Sequence, residues 1–292
     1  MAIHVLQVPY DSGHRDRRMG HGPIHLTQRG VIECLQRIDG DVQLTPVEVA
    51  ASFPTEIGTA FELHRTVAHV VATTVHGGGL PLVVSGNCNS AIGTIAGLCA
   101  AHPGTAVGIV WFDGHGDCNT PETFTGDFLD AMALSTLTGR CWQALTATVP
   151  GFRSIPDEHA VLIGAHGADE GALSVLSASR IGHVPTKVVR TDGAASAVRP
   201  ALDALTAHGV AHVYVHLDVD VLDATYAPAN QFAPVGGLLP DHVLACIEEI
   251  ARRFSIVAVA VASYDPQYDR EDRILHAALS FLTLVASTLK KS

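Results

Sequence analysis

The chain carries little charge. Only 16% of its 292 residues are charged, and 18 basic side chains stand against 29 acidic ones, a net charge of −11. That balance excludes the basic surface that a nucleic acid or an anionic membrane would require. No uncharged apolar run of about 18 residues has the character of a membrane helix. The opening Met1-Ala-Ile-His-Val-Leu-Gln-Val-Pro9 has neither a basic start nor a long apolar core, so it reads as a first strand and not a secretion signal. Six cysteines (Cys34, Cys88, Cys99, Cys118, Cys141 and Cys246) occur without a single CxxC pair, and the expected setting is a reducing cytoplasm. Internal repeats, low-complexity segments and linkers are also lacking, so a single domain over residues 1–292 is expected.

What is present is an alternation of apolar runs with amphipathic or alanine-rich ones. Strands are expected at 4–8, 80–84, 106–112, 159–164, 184–190, 210–217 and 255–262, and helices near 60–76, 90–101, 197–208, 241–252 and 274–288. Repeated βα alternation predicts an α/β fold with a mostly parallel sheet covered on both faces. Ligands of such sheets bind beyond the carboxyl ends of the strands. Four segments fall there: Ser85-Gly-Asn-Cys88-Asn-Ser90, Asp113-Gly-His115-Gly-Asp117, Asp218-Val-Asp220 and Ser263-Tyr-Asp265-Pro266. The irregular stretches 118–132 and 221–239 exceed ordinary loop length, which marks them as functional.

Aspartate is depleted in strands and costly to bury unpaired. Four carboxylates and an imidazole at two strand ends therefore call for a compensating cation. If the pleat persists past the strand ends, alternation aims every second side chain of each segment at a common point. An oxygen-dominated donor set suits manganese or a similar ion better than structural zinc. Two such ions about 3.5–4 Å apart would hold a water and lower its pKa. His166 falls near the rim of these loops. His4, His212 and His216 lie in strands and read as satisfied core imidazoles, and Cys118 should point away from the ligands.

Asp113-Gly-His-Gly-Asp-Cys-Asn-Thr-Pro-Glu-Thr123 and His216-Leu-Asp-Val-Asp-Val-Leu-Asp223, with Ala227-Pro-Ala, Gly236-Gly-Leu and an early Gly20-His-Gly-Pro23, resemble the metal motifs of the arginase/agmatinase (ureohydrolase) family. The resemblance implies a three-layer α/β/α fold with a mostly parallel central sheet. It also implies a binuclear Mn(2+) centre and hydrolysis of a guanidino or linear amidine C–N bond by metal-bound hydroxide. By position, Asp113 and Asp218 bridge the metals, Asp117 binds one, and His115 and Asp220 bind the other. Asn119, Thr125 and Asp169 match places that contact an amino-acid tail. A homo-oligomer, trimer or hexamer, is implied as well.

The departures shift the expected substrate. Where the family usually has a ligating His, this chain has Cys88, as do related enzymes that hydrolyse N-hydroxyarginine. A proton-shuttling His is matched by Asp130, which with Asp117 makes the expected pair of catalytic carboxylates. The carboxylate that pairs with a guanidinium is replaced by Ser263, with Asp265 close in sequence as a substitute. A neutral N-hydroxyguanidine tolerates that loss better than a guanidinium does. The expected activity is thus hydrolysis of arginine or a modified arginine to urea or hydroxyurea plus an amine. The alternatives are a catalytically impaired family member that binds a ligand or partner, and a hydrolase of another guanidino or formimino acid.

Overall fold

The computed structural model describes residues 2–38, 40–50, 55–126 and 128–289. Met1 of the expected first strand and Asp127 of the stretch 118–132 lie outside the described residues. Eight strands form one parallel sheet: β1 (Ile3–Val8), β2 (Val42–Pro46), β3 (Leu80–Ser85), β4 (Val107–Asp113), β5 (Ala160–Gly164), β6 (Gly182–Pro185), β7 (His212–Asp218) and β8 (Ser255–Ala262). Their order is β2-β1-β3-β8-β7-β4-β5-β6, with every pairing parallel. The central strands β3 and β4 are buried along their whole length, which is why they read as continuous apolar runs and not as alternating ones.

Alternation along the strands splits the interior into two cores. Val110 and Phe112 of β4 face one of them, shared with α5 (Ala194–Ala207), α6 (Pro240–Ala251) and α7 (Arg273–Leu289). Ile109 and Trp111 face the other, shared with α1 (Glu56–His76) and α2 (Ala91–Ala101). The result is the expected three-layer α/β/α arrangement. Helix α1 starts where Thr55 accepts a hydrogen bond from Gly58 N–H through its side chain. It packs so tightly on α2 that a Cβ at Gly97 would stand 2.6 Å from Val71 Cβ, so only glycine admits this approach.

One expected strand is corrected. Instead of 184–190, β6 stops at Pro185 and helix α4 (Thr186–Asp192) follows. Val188-Val189 suggested a strand, but Pro185 has no N–H to extend a ladder. The buried residues Thr186 and Val189 are spaced as one helical face and not as one sheet face. Elements not anticipated include the largely exposed edge strand β2, helix α3 (Glu170–Ser177), and a helical stretch (Gly22–Leu26, Ile32–Ile38) broken at Gly30, where φ is +131°.

Candidate metal centre

β3, β8, β7 and β4 are neighbours in the middle of the sheet. Their carboxyl ends therefore deliver residues 85–90, 263–266, 218–220 and 113–117 side by side. Two sets of donor atoms converge there, each set lying within 4.8 Å: Cys88, Asp113 and Asp218, and Asp113, His115 and Asp220. Asp113 belongs to both. The ligand-type residues do not reach these positions by continued alternation. β4 ends at Asp113, and the backbone then turns through Gly116 (φ +90°) and Asp117 (φ +49°), while β7 ends at Asp218 and passes into a tight turn over Val219–Val221. A pleated continuation would have to leave the sheet without hydrogen-bonding neighbours; the turn closes on the carboxylates instead.

The turns are held by the ligands themselves. Asp113 Oδ1 accepts from His115 N–H at 2.5 Å and Gly116 N–H at 2.7 Å, and Oδ2 accepts from Trp111 Nε1–H at 2.9 Å. Asp220 Oδ1 accepts from Gly114 N–H at 3.0 Å, and Asp218 Oδ1 from Asp220 N–H at 2.8 Å. The Cys88 thiol donates to Asp218 Oδ2 at 2.9 Å and lies 3.3 Å from Ser263 Oγ. Asp117 belongs to neither donor set, but its Oδ2 is buried without a hydrogen-bond partner.

Burial dominates the electrostatics. It pushes the carboxyls of Asp113, Asp117 and Asp218 up, and each is pushed further by the other acids of the cluster. Burial, with Asp218 next, also holds the Cys88 thiol well above its usual range. Among the described residues of the cluster, one ion pair joins His115 Nδ1 to Asp220 Oδ2 at 3.2 Å. Asp220 holds the imidazole up to about 9, and although burial opposes ionisation of Asp220, His115 and neighbouring hydrogen bonds bring that carboxyl down to about 2. Four buried carboxylates with one imidazole as counter-charge, and a buried oxygen left unpartnered, are what a divalent cation relieves. The donor set of carboxylates, one imidazole and one sulfur fits such ions.

His115, Asp117, Asp218 and Asp220 of the cluster form the floor of a cavity of about 660 Å³. Asp130, Asn119, Asp169 and Ser263 line it, whereas Thr125 is exposed and Asp265 is buried with Oδ1 accepting from Gln267 N–H; neither of these two lines it. Asp130 accepts from Cys88 N–H at 2.9 Å and Asn89 N–H at 2.6 Å, and burial pushes its carboxyl up to about 8. Asn119 Nδ2 donates to both oxygens of Asp169, at 3.2 and 3.1 Å, and Asp169 also caps α3 through Ala172 N–H.

Sequence reasoning missed Asn230, which donates to Ser263 O at 2.7 Å and lines the cavity, and Phe128 and Phe232, whose rings lie 5.7 Å apart. Their only signal was their place in the two long irregular stretches. It also missed Trp111, whose indole stacks on the buried His216 ring at 3.7 Å while donating to Asp113. His216 Nδ1 shares a 2.7 Å hydrogen bond with the Tyr214 hydroxyl, but Nε2 has no partner, so this core imidazole is only half satisfied; burial lowers its pKa to about 3. His212 likewise has an unpartnered Nδ1, whereas His4 bonds both Thr74 and Thr45. His166 approaches Pro234 O and Thr186 Oγ1 at 3.4 Å each, and the Cys118 thiol donates to Gly116 O at 3.1 Å, beside the ligand turn. Because the indole N–H orients an oxygen of Asp113, Trp111→Phe is expected to weaken divalent-cation binding about 10–100-fold. Calorimetric titration of the metal checks this, with circular dichroism to verify folding.

The Arginase family model matches residues 1–287 of the chain. An arginase of Bacillus caldovelox is 28% identical over 290 residues, 96% of either protein. The solved structure of Bacillus caldovelox arginase aligns with a TM-score of 0.87 at 26% identity, covering 100% of this chain and 99% of that one. The formimidoylglutamase of Bacillus subtilis shares the fold, with a TM-score of 0.78 at 16% identity over 100% of this chain and 88% of its own.

Proposed function

Because the chain belongs to the arginase family of metal-dependent amidinohydrolases, we propose that it hydrolyses an N-hydroxylated arginine at the bond between the guanidino carbon and the nitrogen of the aliphatic tail, releasing hydroxyurea and an amine. The observation that carries this reading is the wall of the cavity at Ser263. Where the resemblance puts a carboxylate for a guanidinium, the cavity has a buried, neutral hydroxyl. Asp265 offers no replacement, since its carboxylate turns to Gln267 N–H outside the cavity. A neutral N-hydroxyguanidine loses less than a charged guanidinium when no anion faces it.

In this reading Cys88, Asp113 and Asp218 hold one divalent cation and Asp113, His115 and Asp220 the other, with Asp117 completing the set through its unpartnered oxygen. Manganese, two ions per chain, is our assignment; when bound it supplies the charge that the acids lack and activates water at neutral pH. Asp130 lines the cavity and fixes the Cys88 loop through two backbone N–H groups. We assign it the relay of a proton toward the leaving amine, as a neutral carboxylic acid can do. Asp169, Asn119 and the exposed Thr125 remain assigned to the tail of the substrate other than its carboxylate. We further propose one domain, a homo-oligomeric assembly and, from six free cysteines, a reducing cytoplasmic setting. Among the described residues no helix is long and apolar enough to cross a membrane.

The test is product release from N-hydroxyarginine, arginine, agmatine and guanidinobutyrate by the manganese-loaded protein. We expect kcat/KM for N-hydroxyarginine to exceed that for arginine at least about tenfold, the equivalent of one charge-assisted contact. Preference for arginine would sink the substrate assignment and leave the hydrolase. Turnover of none of them would favour a ligand-binding family member.

A further inference from the structure

We propose that Arg17 recognises a carboxylate at the far end of the substrate, an inference that rests on the guanidino-hydrolase reading above. The neutral donors expected for that task are engaged or misplaced. The Asn119 amide nitrogen is turned to Asp169, and its oxygen accepts from Thr123 Oγ1 at 3.0 Å. Thr125 is exposed and does not line the cavity. Two arginines do line it, Arg17 and Arg18, in a chain whose net charge is −11.

Their situations differ. Arg18 is already neutralised: Nε and Nη2 donate to the fully buried Asp11 at 2.9 and 2.8 Å, Nη2 reaches Ser12 Oγ, and the guanidinium lies over the Phe128 ring at 5.9 Å. Arg17 makes no ion pair with any described residue and is exposed, so it sits on the open side of a cavity whose floor is the buried acid cluster. A substrate with its guanidino carbon at that floor and a carboxylate at its other end spans the two. A planar guanidinium matches a carboxylate in a bidentate pair.

The segment that carries Arg17 is set in place and not a free loop. Three non-glycine residues in it have positive φ: Ser12 (+48°), Asp16 (+53°) and Arg18 (+45°). Such strain persists only where the surroundings hold it. The hold comes from the metal loop itself, since Asn87, the neighbour of Cys88, accepts from Ser12 N–H at 2.8 Å and donates to Asp11 at 3.4 Å. Asp11, Arg18 and Asn87 are thus positioning residues, and Arg17 is the free cation they present.

The test compares arginine with agmatine, which lacks only the carboxylate, on manganese-loaded wild type, Arg17→Ala and Arg17→Lys. Calorimetric binding and urea release are both measured. We expect wild type to bind arginine more tightly. Arg17→Ala should weaken arginine about 10–100-fold and change agmatine by less than about twofold, with Arg17→Lys recovering part of the loss. Equal weakening of both compounds, an unaffected arginine, or wild type that binds neither or does not distinguish them would overturn the proposal. Carboxylate-dependent binding lost in Arg17→Ala, without any product release, would overturn the hydrolase reading alone. Product release indifferent to Arg17 would do the reverse.

Discussion

Asp113→Ala is expected to lower product release at least about a thousandfold, because a catalytic cation contributes several kcal/mol of charge stabilisation. Asp113 is the only residue common to both donor sets, so its loss weakens both sites together. It also anchors the turn that carries His115 and Asp117, through the N–H groups of His115 and Gly116. The metal-dependent rise in melting temperature should vanish with it, since an ion that binds only the native state stabilises in proportion to its affinity. Retention of that rise, measured by calorimetric melting with and without manganese, would place the metals elsewhere. The effect should separate from misfolding, because apart from the Trp111 indole N–H the strands beneath Asp113 bury their apolar side chains without using its carboxylate.

Under the proposed assignment, Cys88 decides how the first of the two sites fills. With no ion bound, its sulfur is a buried thiol donating to Asp218, held protonated by burial and by the surrounding acids. A cation at Cys88, Asp113 and Asp218 must displace that proton, so filling this site becomes easier as pH rises. Cys88→Ala is expected to reduce affinity at this site by about a hundredfold or more and to leave about one metal per chain; loss of an oriented donor of this kind costs at least as much as loss of a supporting group. Cys88→His, which offers a neutral nitrogen and no thiol proton to remove, should restore the second metal and shift its binding to lower pH. Metal content is read by elemental analysis of the two variants. Two metals retained in Cys88→Ala would make Cys88 a packing residue.

Much of this architecture is legible in the chain, for physical reasons that also mark where reading stops. Buried parallel strands such as β3, β4 and β7 are continuous apolar runs, and a carboxylate at the end of such a run is conspicuous because it is expensive there. Asp113, His115, Asp218 and Asp220 could be singled out on that ground alone. The turns that bring them together could not, because φ +49° at Asp117 is imposed by the neighbours of the turn and leaves no periodicity. Val188-Val189 misled for a related reason: two β-branched residues fit either a strand or a helix face, and Pro185 decided between them. Trp111 looked like any core aromatic, since the direction of its N–H exists only once β4 and β7 have paired and stacked it on His216. The difference between Arg17 and Arg18 is not written in the sequence either: Arg18 is tied by Asp11, which Asn87 holds from far along the chain, while Arg17 makes no ion pair with any described residue.

The most direct test of the metal centre is elemental analysis of protein purified with manganese, followed by product release before and after exhaustive chelation. The proposed assignment predicts about two manganese ions per chain, activity lost on chelation, and activity restored when manganese is returned. Full activity in protein stripped of metal would contradict it.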